Sequence, residues 1–226
     1  PIHDDTKFVL ATDKEAPYTQ IQLINKITKK TPATIQDFRN GLMVNLYNSM
    51  MAARISEITQ KPNPPFNFAN IGYGDFLANL NAVAAFAVVN EGATIKGLEA
   101  IAIENERAYR HGFLNSELDR QKEELIRQLE SAVKEKDKTE SANIAQAYVA
   151  NFLENEFIMS PEQELEFAKK LIPSIDLMEI NLLPKKWVSE KGKVITISGP
   201  EKAGLTYPTE AEVLKVLADV KAMDIK

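Results

Sequence analysis

The chain has 226 residues, of which 44% are hydrophobic and 26% charged, so it can bury a sizeable core and is predicted to be globular rather than disordered. Its 32 acidic and 27 basic residues give a net charge of -5, the wrong sign for a generic binder of nucleic acids or anionic membranes. Cysteine is absent, which excludes disulfides, cysteine-ligated zinc, iron–sulfur clusters and thiol nucleophiles.

The length fits one large domain better than two small ones, and we predict a single domain over residues 1–226. The longest apolar run, Ala82 to Val89, is too short to span a bilayer. The first residues, Pro1 to Asp5, contain neither an initiator methionine nor a secretion leader. We therefore expect the chain to be a piece of a longer protein.

The first ninety residues predict two pairs of strands separated by one helix. β-rich segments at Lys7–Thr12 and Gln20–Ile27 flank a turn, which indicates a hairpin or two neighbouring strands. Thr34 can cap a helix whose apolar residues recur at the spacing of one helical face. Two further strands are predicted at Asn67–Tyr73 and Asn81–Val89, and the second is apolar throughout, as expected for a strand covered on both faces.

Helices dominate the middle of the chain. One is predicted from Thr94 to a left-handed cap at Gly112, and the longest is predicted to start at an Asn115 cap and run to about Lys138. The buried stripe of that longest helix is predicted to be Leu118, Leu125, Leu129 and Val133. The next helix is predicted around Ile144, Tyr148 and Phe152.

Side-chain caps mark the later helix starts. They are predicted at Ser160, Asp176 and Thr209. Pro184 is expected to kink or end the helix that starts at Asp176. Val194–Ser198 alternates like a strand.

The order of these elements predicts the fold class. Because strands come in adjacent pairs rather than alternating with single helices, we predict an α+β domain, a mainly antiparallel sheet with helices packed on it. A doubly wound nucleotide-binding fold is disfavoured. We expect Asn81–Val89 to lie among the central strands and helix content to exceed strand content.

The two histidines, His3 and His111, lie far apart in the sequence, and neither has a partner at metal-binding spacing. The HExxH and HxxEH motifs are both absent. His111 falls in the last turn of a predicted helix, where a cation is favourable. We predict that both histidines are structural and assign no catalytic, cofactor-binding or metal-binding residue.

Two further patterns have structural explanations. Gly72-Tyr73-Gly74 begins like a dinucleotide-binding loop but lacks the third glycine, and we predict a turn there. Three methionines of the first helix are predicted to pack in the core, namely Met43, Met50 and Met51.

The acidic clusters are predicted to form solvated helix faces rather than an acid–base site. The clusters are Glu104 with Glu106, and Glu123 with Glu124. The expected ion pairs one helical turn apart are Glu123–Arg127 and Glu130–Lys134.

Several stretches spread along nearly the whole chain carry a family resemblance. They are residues 11–16, Phe38-Arg39, residues 50–58, Pro64-Pro65-Phe66, residues 110–123, Pro173-Ser174-Ile175, Asn181 and Lys186-Trp187. In this order they resemble the metal-free second domain of pitrilysin-type zinc metallopeptidases. These are inverted zincins that include insulin-degrading and mitochondrial processing peptidases.

The resemblance implies a mitochondrial processing peptidase-like fold, a sheet flanked by helices. In the family, two similar domains form one half of the molecule, and two halves close like a clamshell around an unstructured peptide. The catalytic domain carries HxxEH, whose histidines bind zinc with a downstream glutamate. The implied role here is a chamber wall and scaffold beside that domain, encoded in the same parent chain. The zinc would belong to the neighbouring domain, with no cofactor in this one.

The resemblance also suggests which domain this is. The opposite half often supplies an Arg and a Tyr that hold substrate near the zinc, and the nearest equivalent, Asn81–Val89, has neither. This favours the second domain of the zinc-bearing half, in a secreted or periplasmic bacterial peptidase. The implied partners are the catalytic domain, a possible second half and a peptide substrate, with no nucleic acid and no membrane span.

Two alternatives remain open at this point. One is a scaffold or assembly homologue that has lost peptidase activity, and the other is an isolated peptide-binding module. The parent sequence before Pro1 would separate them, since an intact HxxEH with a distant glutamate supports the peptidase and a degenerate motif supports the scaffold. A catalytic zinc usually takes three protein ligands and a water, so this chain alone is predicted to hold none and to cleave no peptide.

Overall fold

The structure, a computed structural model, describes residues 2–77, 79–138, 140–154, 157–189 and 191–226. The strands are β1 (Lys7–Asp13), β2 (Thr19–Thr28), β3 (Phe68–Leu77), β4 (Leu80–Val89) and β5 (Lys193–Pro200). The helices are α1 (Ile35–Thr59), α2 (Thr94–His111), α3 (Asn115–Glu135), α4 (Ser141–Glu154), α5 (Pro161–Leu171), α6 (Leu177–Trp187) and α7 (Glu210–Ala222). Helix content, 54%, exceeds strand content, 21%, as predicted.

The five strands form one sheet in the order β1-β5-β2-β4-β3. Three of its pairings are antiparallel, and only the β1–β5 pairing is parallel. The predicted α+β class with a mainly antiparallel sheet is therefore confirmed. The strand predicted at Asn81–Val89 is β4, which is paired on both sides and lies inside the sheet. The expected cover on both of its faces is wrong, because Ala84, Phe86 and Val88 on one face are only half-buried.

We predicted that β1 and β2 are neighbours in the sheet. This prediction is wrong, because β5 lies between them. Both edges of β2 are taken by antiparallel partners, β4 and β5. β5 brings the buried residues Ile195 and Ile197 into the sheet interior, whereas most of β1 is exposed. The more apolar strand thus occupies the interior position, and the exposed one becomes an edge.

The chain divides into two compact units. Unit 1 consists of Pro1–Thr28, Met51–Gly112 and Asn181–Lys226, and it holds the whole sheet with α2 and α7. In this unit α2 packs on β4 and on α7, and its residues Leu98 and Ile101 are fully buried. One face of the sheet therefore belongs to the core.

Unit 2 consists of Lys29–Met50 and Phe113–Ile180 and holds α3, α4 and α5. α3 packs on α5, and its residues Leu118 and Leu125 are buried as predicted. The rest of the predicted stripe, Leu129 and Val133, is only half-buried. The apolar residues of α4 are exposed, among them Ile144, Tyr148 and Phe152.

Two details of α3 differ from the prediction. The residue before the helix is Leu114, not Asn115, and its side chain has no polar atom to cap the helix. Glu117 reaches back instead and accepts a hydrogen bond from the Leu114 amide at 2.7 Å. With 21 residues, α3 is also shorter than α1, which has 25.

α6 continues through Pro184 to Trp187, so the predicted end near Leu183 is wrong. The helix start is as predicted, because the Asp176 and Glu179 side chains each accept a hydrogen bond from the other residue's amide. At the far end the Trp187 ring stacks on Tyr73, with centroids 4.4 Å apart. This aromatic contact packs the last turn of α6 against β3.

The start of α1 is held by a reciprocal cap. The Asp37 amide donates to Thr34 Oγ1 at 3.1 Å, and the Thr34 amide donates to Asp37 Oδ2 at 3.1 Å. Lys30 Nζ lies 2.9 Å from Asp37 Oδ1. The hydrogen bonds from Lys30, Thr34 and Ala33 hold the pKa of the Asp37 carboxyl well below its ordinary value.

Replacing Asp37 with asparagine is expected to destabilise the protein at pH 7 and to have little effect at strongly acidic pH. A carboxyl whose pKa is lowered on folding stabilises the protein above its unfolded pKa, about 3.9, and loses this contribution as pH falls through the folded pKa. Urea unfolding of parent and Asp37→Asn at several pH values checks this. Asp119→Asn, at an exposed site on α3, is the matched control. A stability difference that stays constant down to the lowest pH would contradict the cap assignment.

Candidate functional site

Three of the stretches that carry the family resemblance contribute residues that contact one another in unit 1. These residues fix the turn at the end of α2. Arg54 Nη2 donates a hydrogen bond to the Gly112 carbonyl at 2.9 Å. Gly112 has φ 67° and ψ -144°, so the positive φ was predicted correctly but the residue is not in the left-handed helical region. A Cβ atom at Gly112 would overlap the side-chain amide of Asn181. These contacts fix the backbone at the end of α2 and carry no reactive group.

The neighbouring Arg110 and His111 bind the end of the chain. Arg110 donates to the carbonyls of Met223 and Lys221 at 2.7 and 2.6 Å. His111 Nε2 lies 2.7 Å from the Ile225 carbonyl and donates to it, since a carbonyl can only accept. His111 therefore has a structural role in the last turn of α2.

His3 lies near the start of the chain, and its Nδ1 is 2.5 Å from the Asp5 carbonyl oxygen. Among the described residues, no three His, Asp or Glu side chains lie close enough together to hold a metal ion. The donor set described here therefore does not fit a zinc ion.

In unit 2, Arg39 connects its own stretch of the family resemblance, Phe38-Arg39, to another, Pro173-Ser174-Ile175. Its guanidinium binds both carboxylate oxygens of Glu179, at 2.8 and 2.6 Å, and donates to the Ser174 carbonyl at 2.8 Å. The hydrogen bonds with Glu179 raise the pKa of Arg39. Such a two-pronged pair is geometrically specific, and here it fixes α1 to the start of α6. The residues that carry the resemblance thus stabilise the fold.

The acidic clusters only partly follow the prediction. Glu104 is buried against Arg107 rather than solvated, and Glu106 binds Arg110 at 2.6 Å. A buried carboxylate needs such a partner to remain charged.

On α3 the predicted Glu123–Arg127 pair is present, at 3.7 Å. Glu130 binds Lys169 at 2.6 Å instead of Lys134, because α5 packs alongside α3. The hydrogen bond from Lys169 lowers the pKa of Glu130. These pairs are structural and surface-exposed.

The sheet of unit 1 has a second face that is not buried, which we call the open face. Two rows of paired residues cross all five strands at its centre. The rows are Val9, Thr196, Gln22, Phe86 and Asn70, and Ala11, Ser198, Gln20, Val88 and Phe68. None of these ten residues is buried, whereas their neighbours Ile21, Ile195 and Ile197 on the other face are.

The two central rows of the open face contain no charged residue and are rich in hydrogen-bonding groups. Its polar side chains are Gln20, Gln22, Asn70, Thr196 and Ser198. Within the described part of the chain, none of these five side chains has a hydrogen-bond partner. Two aromatic rings, Phe68 and Phe86, lie beside them with centroids 6.0 Å apart. The surface can therefore contact both polar and apolar groups of a flexible ligand.

Gly72-Tyr73-Gly74 lies inside β3, so the predicted turn is wrong. Gly72 pairs with Ala84 next to the rows of the open face, and the small residues continue the flat surface there. The helix methionines Met43, Met50 and Met51 are buried, as predicted.

The sequence contains a signal for the open face, although we used the alternation in β5 only to predict a strand. In the β2 segment Gln20-Ile21-Gln22, polar and apolar residues alternate, as do Ile195-Thr196-Ile197-Ser198 in β5. Such alternation is typical of a sheet with one exposed face. It could not show that the two segments pair, because they are far apart in sequence.

No protein-family model matches this chain. A curated relative from Arabidopsis thaliana, named "Zinc protease PQQL-like", is 24% identical over 203 residues, which are 90% of this chain and 18% of that protein. The crystal structure of the first half of the periplasmic protease PqqL from Escherichia coli superposes with a TM-score of 0.90 at 15% identity. The superposition covers 100% of this chain and 49% of the PqqL chain. A predicted insulinase family protease from Yersinia pestis has a TM-score of 0.79 at 13% identity, covering 95% of this chain and 46% of that one.

The resemblance to the pitrilysin-type peptidases is therefore confirmed. The chain has a fold found in these solved proteases, and it spans about half the length of each of the two solved chains and less than a fifth of the plant relative. HxxEH is absent from its sequence. Among the described residues, no helix is long and apolar enough to cross a membrane.

Proposed function

We propose that this chain is a non-catalytic domain of a zinc-dependent endopeptidase that acts on unstructured peptides, and that its open face forms part of the substrate chamber wall. The chain would be a single domain of a longer protein, the second domain of the zinc-bearing half. Its fold, its resemblance to zinc proteases and the absence of HxxEH support this assignment. Periplasmic PqqL supports a periplasmic or secreted location.

The observation that carries the proposal is the chemistry of the open face. An unfolded peptide presents backbone amides and mixed side chains, and it varies from one substrate to the next. Amide and hydroxyl side chains can pair with such a backbone in either direction, because they both donate and accept hydrogen bonds. A wall whose central rows carry no charge also neither repels nor traps charged segments. The open face thus suits weak contact with many sequences.

The proposed partners follow from the same fold comparison. The catalytic domain with its zinc would be the other domain of the same half, and a second half would complete the chamber. The donor set described in this chain does not fit zinc, so the metal would be held by residues of that catalytic domain. Hydrolysis is then expected only when the catalytic domain is present.

The test measures binding of a fluorescein-labelled unstructured peptide to the chain by fluorescence anisotropy. Gln22→Glu places a charge at the centre of the open face, where a bound peptide would desolvate it, and is expected to weaken binding roughly tenfold. Ser131→Glu, at an exposed position on α3, is the charge-matched control and should bind like the parent. Equal affinities for Gln22→Glu and the parent would contradict the wall assignment.

The same samples, dialysed against zinc, are assayed for bound metal and for cleavage of a fluorogenic peptide. We expect neither stoichiometric tight zinc nor chelator-sensitive cleavage by this chain. Finding both would overturn the assignment as a non-catalytic domain, whatever the anisotropy result.

A further inference from the structure

Unit 1 contains a cavity of about 310 Å³ between the core face of the sheet and two helices. β2 and β5 form one wall, and α2 and α7 form the other. The lining is mostly aliphatic and includes Leu23, Ile195, Leu217 and Val220. Protein interiors leave few voids larger than a water molecule, whereas small-molecule sites begin at about 300 Å³. The cavity opens to solvent beside Leu214 and Ala218, which are exposed, and its volume is that of a small binding site.

The charged and polar side chains around the cavity fall into two groups. In the first group, Glu106 binds Arg110 at 2.6 Å, and Asn25 donates to the Ser189 carbonyl at 2.8 Å. The lysines of the lining, Lys193 and Lys221, also have interactions of their own.

The second group is Thr6 and Asn105, which are half-buried in the lining. In the described part of the chain, neither side chain has a hydrogen-bond partner. Neither side chain has a buried, unpartnered polar atom, so both polar groups are open to water, and a ligand group can replace that water and pair with them.

We propose that this cavity binds a small neutral amphiphile, a molecule with a hydrocarbon tail and one hydrogen-bonding group. The tail would fill the aliphatic part, and the polar group would pair with Asn105 and Thr6. A charged head is disfavoured because the charged side chains of the lining already have other interactions, and a charge moved from water into such a site needs a countercharge. This site is independent of the open face.

The test uses 1-octanol as the neutral probe and octanoate as its charged counterpart of equal chain length. Saturable binding to the whole chain is measured by ligand-observed NMR and by the rise in melting temperature with ligand concentration. We expect 1-octanol to bind and to raise the melting temperature, and octanoate to bind at least about tenfold more weakly. Equal binding of the two probes, or no saturable binding of 1-octanol, would overturn the proposal.

Two variants locate the site. Ala218→Phe places a ring at the exposed rim of the cavity on α7 and is expected to weaken binding by narrowing the entrance. Asn105→Leu keeps the side-chain volume but removes the amide, and it should weaken 1-octanol binding roughly three- to tenfold, the worth of one neutral hydrogen bond. Ser131→Leu, an exposed position in unit 2, is the control and should bind like the parent. If Ala218→Phe does not fold, Asn105→Leu still decides, because unchanged affinity in that variant contradicts the assigned head-group contact.

Discussion

Replacing Leu125 with alanine is expected to lower the free energy of unfolding by about 2–5 kcal/mol. Leu125 is buried, with 6% of its surface exposed, and it lies on α3, which packs against α5. The substitution removes apolar contacts and leaves a cavity that the two helices can close only in part. Urea unfolding, followed by circular dichroism at constant pH, gives the difference from the parent.

Leu129→Ala is the matched control, one helical turn further along α3. Leu129 is only half-buried, so the same chemical change should cost clearly less than at Leu125. A Leu125→Ala protein that unfolds with the parent would show that α3 packs through another face. A larger cost at Leu129 than at Leu125 would contradict the observed phase of the helix.

Replacing Gly112 with alanine is expected to destabilise the protein by at least about 1–3 kcal/mol, the cost of a residue held in a backbone region open almost only to glycine. Gly112 has φ 67° and ψ -144°, and a Cβ atom there would also overlap the Asn181 side chain. Relief of that overlap would strain the turn whose carbonyl accepts the hydrogen bond from Arg54. Thermal and urea unfolding of Gly112→Ala measure the loss.

Two further variants separate the causes. Gly41→Ala, inside α1, has open space around its Cβ position and should instead stabilise the protein by about 0.5–1 kcal/mol. Asn181→Ala combined with Gly112→Ala should recover the part of the loss that comes from the overlap but not the part that comes from the backbone. A Gly112→Ala variant as stable as the parent would contradict the observed conformation.

The sequence alone determined the elements whose signals are local. The starts of α1, α5 and α7 follow from side chains within four residues of each other, as in Thr34 with Asp37. The apolar run of β4 predicted an interior strand, and β4 is indeed paired on both sides, although one of its faces is only half-buried at Ala84, Phe86 and Val88. The absence of HxxEH and of cysteine was likewise readable from the sequence.

Only the tertiary structure decided which distant segments meet. β5 inserts between β1 and β2 although it follows them by more than 160 residues, and no local pattern encodes that pairing. Glu104 was expected in water but is buried against Arg107, and Glu130 binds Lys169 on another helix. In each case the partner comes from packing rather than from helical spacing.

The open face illustrates both contributions. The alternation of Gln20, Ile21 and Gln22 fixes which side chains of β2 share a face, since successive residues of a strand point to opposite sides. Thr196 and Ser198 lie beside these β2 side chains because of the register between β2 and β5. That register is set by burying Ile195 and Ile197 with Ile21 in the core, because a shift by one residue would expose them. Local periodicity therefore determined the character of each strand, and long-range burial assembled the strands into one sheet with an exposed face.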